Sequence, residues 1–226
     1  SMGNLIASET KERAYEVYKR VDFINYWLYT FTATCLLCLV EPFVAIWLGQ
    51  DFVLTKTILI LAVAIYYFKG INSGIDIAKN AAGLYYPDRF IPMAEAIANM
   101  VISIVLAKRY GIAGVLFGTL VSFLALSFWA KPYFVCRDVF EVSFARYAVR
   151  EGREIVVSVL VAAGTWYAVS LVSLENVLLS FGVKALLALA LSNGLLLLVY
   201  FKTSEFQYLR GLLESAANRI GKRKKA

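Results

Sequence analysis

Histidine is absent from this chain of 226 residues. Its absence removes histidine triads, histidine metal sites and the commonest general base. Cysteine is scarce and odd in number: Cys35, Cys38 and Cys136. Cys35 and Cys38 have C-x-x-C spacing but lie in an apolar run with no second ligand pair. They read as small hydrophobes on one helix face rather than as redox or metal chemistry. No G-x-x-x-x-G-K-[ST] loop occurs, so the chain is not itself an ATPase. No carboxylate pair stands at hydrolase-like spacing. Four prolines and 14 glycines exclude a collagen-like or low-complexity chain.

Charge is also sparse. Charged residues make up 17% of the chain, and 60% is hydrophobic, well above a soluble domain. The apolar residues fall in six blocks, roughly 22–47, 53–75, 90–107, 111–133, 154–173 and 177–201. Each is long enough to span a bilayer as a helix. No period-two alternation supports a β-barrel. The expected fold is all-α, a polytopic bundle of six transmembrane helices. Residues 1–21 form a lead-in, 22–201 the bundle, and 202–226 an amphipathic basic tail. Glu41-Pro42 is expected to kink or end the first span. Trp27, Trp47 and Trp129 are placed as interfacial anchors. The segments 137–153 and 203–220 read as amphipathic helices lying in the interface plane, or else as solvated connectors.

The segments before span one and after spans two, four and six carry most of the 23 basic residues. By the positive-inside rule both ends of the chain are cytoplasmic. The net charge of +7 is concentrated partly in Lys222–Lys225 beside a hydrophobic span. That tail reads as a contact for anionic lipid headgroups, not nucleic acid. Ser1 before Met2 is an unusual start, expected either of added residues or of a chain beginning inside a longer protein.

Several charges interrupt membrane-like sequence, at a cost of about 2.5–3.5 kcal/mol each at a bilayer centre. They are Lys69, Asp76, Lys79, Asp88, Arg89 and Glu95. Asp76 and Lys79 stand at i,i+3 and are expected to pair. Asp76, Lys79, Asp88 and Arg89 either mark the cytoplasmic surface or join a hydrated path. Lys69 and Glu95 lie deeper. Glu95, Asn99 and Ser103 step by four and share a helix face, which meets either a neighbouring helix or a cavity. Gly111, Gly114 and Gly118 read as close-packing contacts. Lys184 either snorkels outward or faces inward. Asn25, Tyr26 and Glu41 are weaker lumen candidates.

The stretches GNLIASETKERAYEVYKRVDFINYW, EPFVAIWLGQDF and YYPDRFIPMAEAIANMVISIVLAKRYGIAGVLFGTLVS resemble the polysaccharide repeat-unit flippases. These are Wzx-like proteins of the multidrug/oligosaccharidyl-lipid/polysaccharide (MOP) exporter superfamily. The resemblance is most specific over residues 86–119, where Asp88-Arg89, Pro92, Glu95, Asn99, Gly111, Gly114 and Gly118-Thr119 fit the family pattern. It implies one lobe, the C-terminal half, of a MATE-like two-lobe fold that works by alternating access. The implied substrate is a polyprenyl-diphosphate-linked oligosaccharide, flipped across the bacterial cytoplasmic membrane for surface polysaccharide synthesis. The implied partners are membrane lipids, the N-terminal half of the transporter, and polysaccharide polymerase and chain-length machinery. No cofactor and no enzymatic activity are expected. The implied substrate-path residues are Lys69, Lys79 and Arg89 as cations for diphosphate or acidic sugars. Asp76 and Glu95 balance them or take up a coupling proton, Asn99 shares Glu95's face, and Tyr66 and Tyr67 stack on sugars. The alternatives are a multidrug or cation antiporter of the same superfamily, a membrane-embedded glycan-modifying enzyme, and a non-catalytic scaffold.

Overall fold

The computed structural model describes residue 6 and residues 8–211. Among these the fold is all-helical, with no strand. The expected amphipathic segment beyond residue 211, the basic run Lys222–Lys225 and the start at Gly3 lie outside the described residues.

The first helix, α1, runs Lys11–Trp47, capped by Thr10, whose side chain accepts from the Arg13 amide at 3.4 Å. At 37 residues it is about 55 Å long, well over the ~30 Å hydrocarbon thickness. Pro42 lies within it, and the helix continues to Trp47 instead of ending there. Part of the expected lead-in therefore belongs to the first span. A short 3-10 turn, Gln50–Phe52, leads to α2, Lys56–Ile71, and α3, Ser73–Ala81. The α2–α3 break at Asn72 has a visible cause in Asn25. Its amide Nδ2 donates to the Gly70 carbonyl at 2.9 Å and contacts Ser73 Oγ at 3.2 Å. Asn25 is thus a clamp between α1 and the α2–α3 joint.

Helix α4, Ile91–Tyr110, ends at Gly111, whose φ of 57° favours glycine. Gly111 is a helix terminator, not the packing contact expected of it. Gly114 and Gly118 do pack: a Cβ at either would collide with α4 backbone at Leu106 or with Ser103. They lie on α5, Ile112–Ala125, followed by α6, Ser127–Val135, and a π turn at Cys136–Phe140. Helix α7 covers Phe144–Ser170 and α8 covers Val177–Tyr200. Residues 144–153, expected in the interface plane, instead continue straight into the fifth span as the first turns of α7.

Six helical stretches are long and apolar enough to cross a membrane: Lys11–Trp47, Lys56–Ala81, Ile91–Tyr110, Ile112–Phe140, Phe144–Ser170 and Val177–Tyr200. The chain is a multi-pass membrane protein by this length and composition. Many large apolar side chains, among them Ile60, Val105, Leu160, Leu178 and Leu198, remain exposed. In a lipid solvent such a surface carries no penalty.

Helix α1 is the hub, packed against α2, α7 and α8, while α4 packs on α5 and α6. At one end Tyr15, Tyr18, Ile75, Phe140 and Tyr147 form an aromatic-rich core. In the middle Phe23, Tyr26, Tyr67, Phe123, Phe128 and Leu196 form another. Trp27, expected as an interfacial anchor, donates from Nε1 to Asn193 Oδ1 at 3.0 Å and so ties α1 to α8.

Candidate functional site

Helices α2 and α7 both pack on α1 but diverge from each other, leaving a groove of about 350 Å³. Its walls are apolar: Leu59, Ile60 and Val63 from α2, and Val159, Ala162 and Ala163 from α7. Its floor is lined with hydroxyls. Thr30 and Thr34 come from successive turns of α1, Ser158 from α7 and Tyr67 from α2. Tyr67 donates to Ser158 Oγ at 2.9 Å, and Ser158 shares a 2.7 Å hydrogen bond with Thr30 Oγ1. Thr34 donates back to the Thr30 carbonyl. The floor is therefore satisfied internally, as a polar group in a membrane interior must be. Its accessible surface is almost wholly apolar, with Glu41 and Lys56 also among the lining residues, so the recess can take a lipid-like chain along its walls.

The hydroxyl floor continues as a seam between α1 and α7. On α1 it steps by four through Asp22, Tyr26, Thr30 and Thr34, all buried. On α7 the buried polar residues are Glu151, Glu154, Ser158 and Thr165. Tyr26 donates to the Glu154 carbonyl at 3.1 Å, and Tyr200 of α8 donates to the Tyr26 hydroxyl.

The seam ends in a buried charge cluster. Asp22, Glu151 and Glu154 place carboxylate oxygens within 4.8 Å of one another. Arg150 donates to Asp22, and its Nε lies 3.8 Å from Glu154. The guanidinium also sits 5.4 Å from the Tyr147 ring centroid and 5.8 Å from that of Tyr18. Arg150 pairs with two of the three carboxylates, Asp22 and Glu154, and the charge of Arg153 also bears on Glu154. Uptake of a proton or a cation would balance the remaining buried negative charge. Asp22 stands 25 residues from the Trp47 end of α1, about 38 Å along the helix, so the cluster lies near one membrane face.

The eight residues expected along a substrate path do not gather in one place. Tyr67 alone among them lines the groove. Tyr66 turns to the other side of α1, where its hydroxyl meets Thr32 Oγ1 at 2.9 Å. Lys69 is exposed, with Nζ 5.8 Å from the Phe123 ring centroid. Asp76 does not pair with Lys79 as expected. It accepts from Lys131 at 2.9 Å, and Lys79 bonds to the buried Asp88 across the α3–α4 connection. Arg89 is exposed and lies 4.0 Å from the centroid of the Tyr86 ring. Glu95 accepts from Ser127. Asn99 accepts from Ser103 at 2.8 Å and from Thr119 at 3.3 Å. The stripe meets the neighbouring helices α5 and α6 through the Asn99–Thr119 and Glu95–Ser127 bonds.

Sequence reasoning missed Asp22, Glu151, Glu154 and Arg150 as a unit. The step-by-four polar row on α1 was the available signal.

Comparison with protein-family models, with curated proteins and with solved structures found no match to this chain.

Proposed function

We propose that this chain is one lobe of a membrane flippase that moves lipid-linked oligosaccharides across the bacterial cytoplasmic membrane. The observation that carries the reading is the α1–α2–α7 groove, an apolar recess with a hydroxyl floor inside a helix bundle of membrane-spanning length. A polyprenyl chain can lie against these apolar walls, beneath which the hydroxyls are buried and bonded to one another. The resemblance over residues 86–119 supports the same class and a MATE-like, two-lobe arrangement in which a second lobe supplies the facing wall. In this reading the two chain ends are cytoplasmic. The Asp22–Glu151–Glu154 cluster then lies at the cytoplasmic side, where a proton or cation taken up beside Arg150 can couple to the groove along the seam.

The test is deletion of the gene in its host, with polyprenyl-diphosphate-linked oligosaccharide measured by mass spectrometry. Accumulation that is reversed by the wild-type gene is expected. Unchanged levels, with surface polysaccharide intact, overturn the reading.

The buried carboxylate cluster also favours a second reading, antiport of organic cations by a member of the same superfamily. Cells lacking the protein would then gain sensitivity to lipophilic cations and keep normal lipid-linked sugar.

A further inference from the structure

A second cavity, of about 310 Å³, adjoins the groove at the end of the bundle where α1 finishes and α2 and α8 begin. It shares Glu41, Lys56 and Trp166 with the groove and adds Gln50 and Lys184. Four helices contribute to it, so its charges come from distant points in sequence. Lys56 is the first residue of α2, Lys184 lies in α8, and Glu41 lies in α1.

Lys184 is not directed to lipid. It is half-buried, lines this cavity, and stands seven residues, about 10 Å, inside the start of α8. Among the described residues, none of Glu41, Lys56 and Lys184 forms an ion pair. Lys56 Nζ instead rests 5.8 Å from the Trp166 ring centroid. Lys56 is exposed and Lys184 half-buried, so two ammonium groups and one carboxylate line this open cavity, with a net positive charge of one. The start of α2 adds to the imbalance. Thr55 makes no side-chain cap there, and Lys56, a lysine at a helix N-terminus, opposes the helix dipole. An anion placed between the two lysines would balance that charge.

We propose that this cavity binds a phosphate-type oxyanion, held by Lys56 and Lys184, with Glu41 limiting the net charge to one. The site uses none of the groove's hydroxyl floor, although Glu41, Lys56 and Trp166 line both cavities. Phosphate binding with no transport, or transport with no phosphate binding, separates the two.

The probe is inorganic phosphate, titrated into the full chain in dodecyl maltoside micelles, which contain no phosphate. Trp166 is kept as sole reporter by replacing Trp27, Trp47 and Trp129 with Phe. A saturable change in Trp166 emission is expected, with affinity at least tenfold weaker in Lys56→Gln and in Lys184→Gln. Lys108→Gln, an exposed lysine near the end of α4, is expected to stay within twofold. The phosphate-dependent rise in Tm of the chain with all four tryptophans gives the same comparison if the Phe variant does not fold. Micelles doped with phosphatidylglycerol separate the sources. A tenfold loss of apparent phosphate affinity assigns the site to lipid headgroups, and an unchanged affinity assigns it to soluble or glycan-borne phosphate. No saturable response in undoped micelles, or equal affinity in all three Gln variants, overturns the proposal.

Discussion

Arg150 of α7 donates a hydrogen bond to Asp22 of α1 across 128 residues of sequence, and both side chains are largely buried. This contact ties the hub helix to the fifth span beside two further carboxylates. Removing one partner of a buried pair leaves the other charge uncompensated, at a cost of about 3–5 kcal/mol. Asp22→Ala and Arg150→Ala are each expected to lower Tm strongly in detergent. The double variant is expected to lose less than the sum, because the second substitution removes the orphaned charge. Additive losses would show that the pair does not interact.

Gly70 packs directly under Tyr29. A Cβ at residue 70 would overlap the Tyr29 ring, which itself rests on Tyr66. Gly70→Ala is expected to destabilise the chain by about 1–3 kcal/mol through this overpacking. Gly164 in α7 meets only Leu195 Cδ1, at ordinary contact distance, so Gly164→Ala is expected to be neutral or slightly stabilising. Chemical or thermal unfolding of the two variants side by side checks the contrast.

Asn99 ties α4 to α5 by accepting from Thr119 at 3.3 Å, while Ser103, one turn along on α4 itself, donates to the same oxygen. Interhelical hydrogen bonds in membranes contribute about 0.6 kcal/mol on average and up to about 1.7. Asn99→Leu is expected to cost within that range and to leave the α1–α2–α7 groove unaltered. A loss of transport at full stability would instead place Asn99 in contact with substrate.

The fold class, the six spans and the α4–α5 packing through Gly114 and Gly118 were legible in the sequence. Hydropathy and small-residue spacing are local signals, and lipid rewards them directly. The helix joints were less legible. The α2–α3 break depends on Asn25, which is distant in sequence, and α7 begins ten residues before its apolar block because Tyr147, Glu151 and Glu154 bury against α1. The charge cluster was hidden for the same reason. Arg150 and Glu154 lie in a stretch whose basic residues read as a cytoplasmic loop, and only the tertiary contact with Asp22 gives them a common place. The Lys69–Glu95 charges stood out as an energetic anomaly, yet most are paired locally with Lys131, Asp88 or Ser127.

The orientation is open to direct measurement. Cys35 is partly buried and Cys38 and Cys136 are buried, so background labelling is expected to be low. A cysteine introduced at Glu175, in the exposed α7–α8 connection, is expected to react with an impermeant maleimide in intact cells. One at Ser143, at the start of α7, is expected to react only after lysis. The reverse pattern would invert the topology.

Ala163 lines the apolar wall of the groove opposite α2. A tryptophan there fills the recess without touching the hydroxyl floor or the charge cluster. The decisive measurement is the rate at which the full-length protein, reconstituted in proteoliposomes, exposes a labelled polyprenyl-diphosphate oligosaccharide to the opposite leaflet. Ala163→Trp is expected to reduce that rate at least tenfold, while Ala163→Ser retains it. An Ala163→Trp protein that flips the substrate at the wild-type rate would contradict the groove as the path.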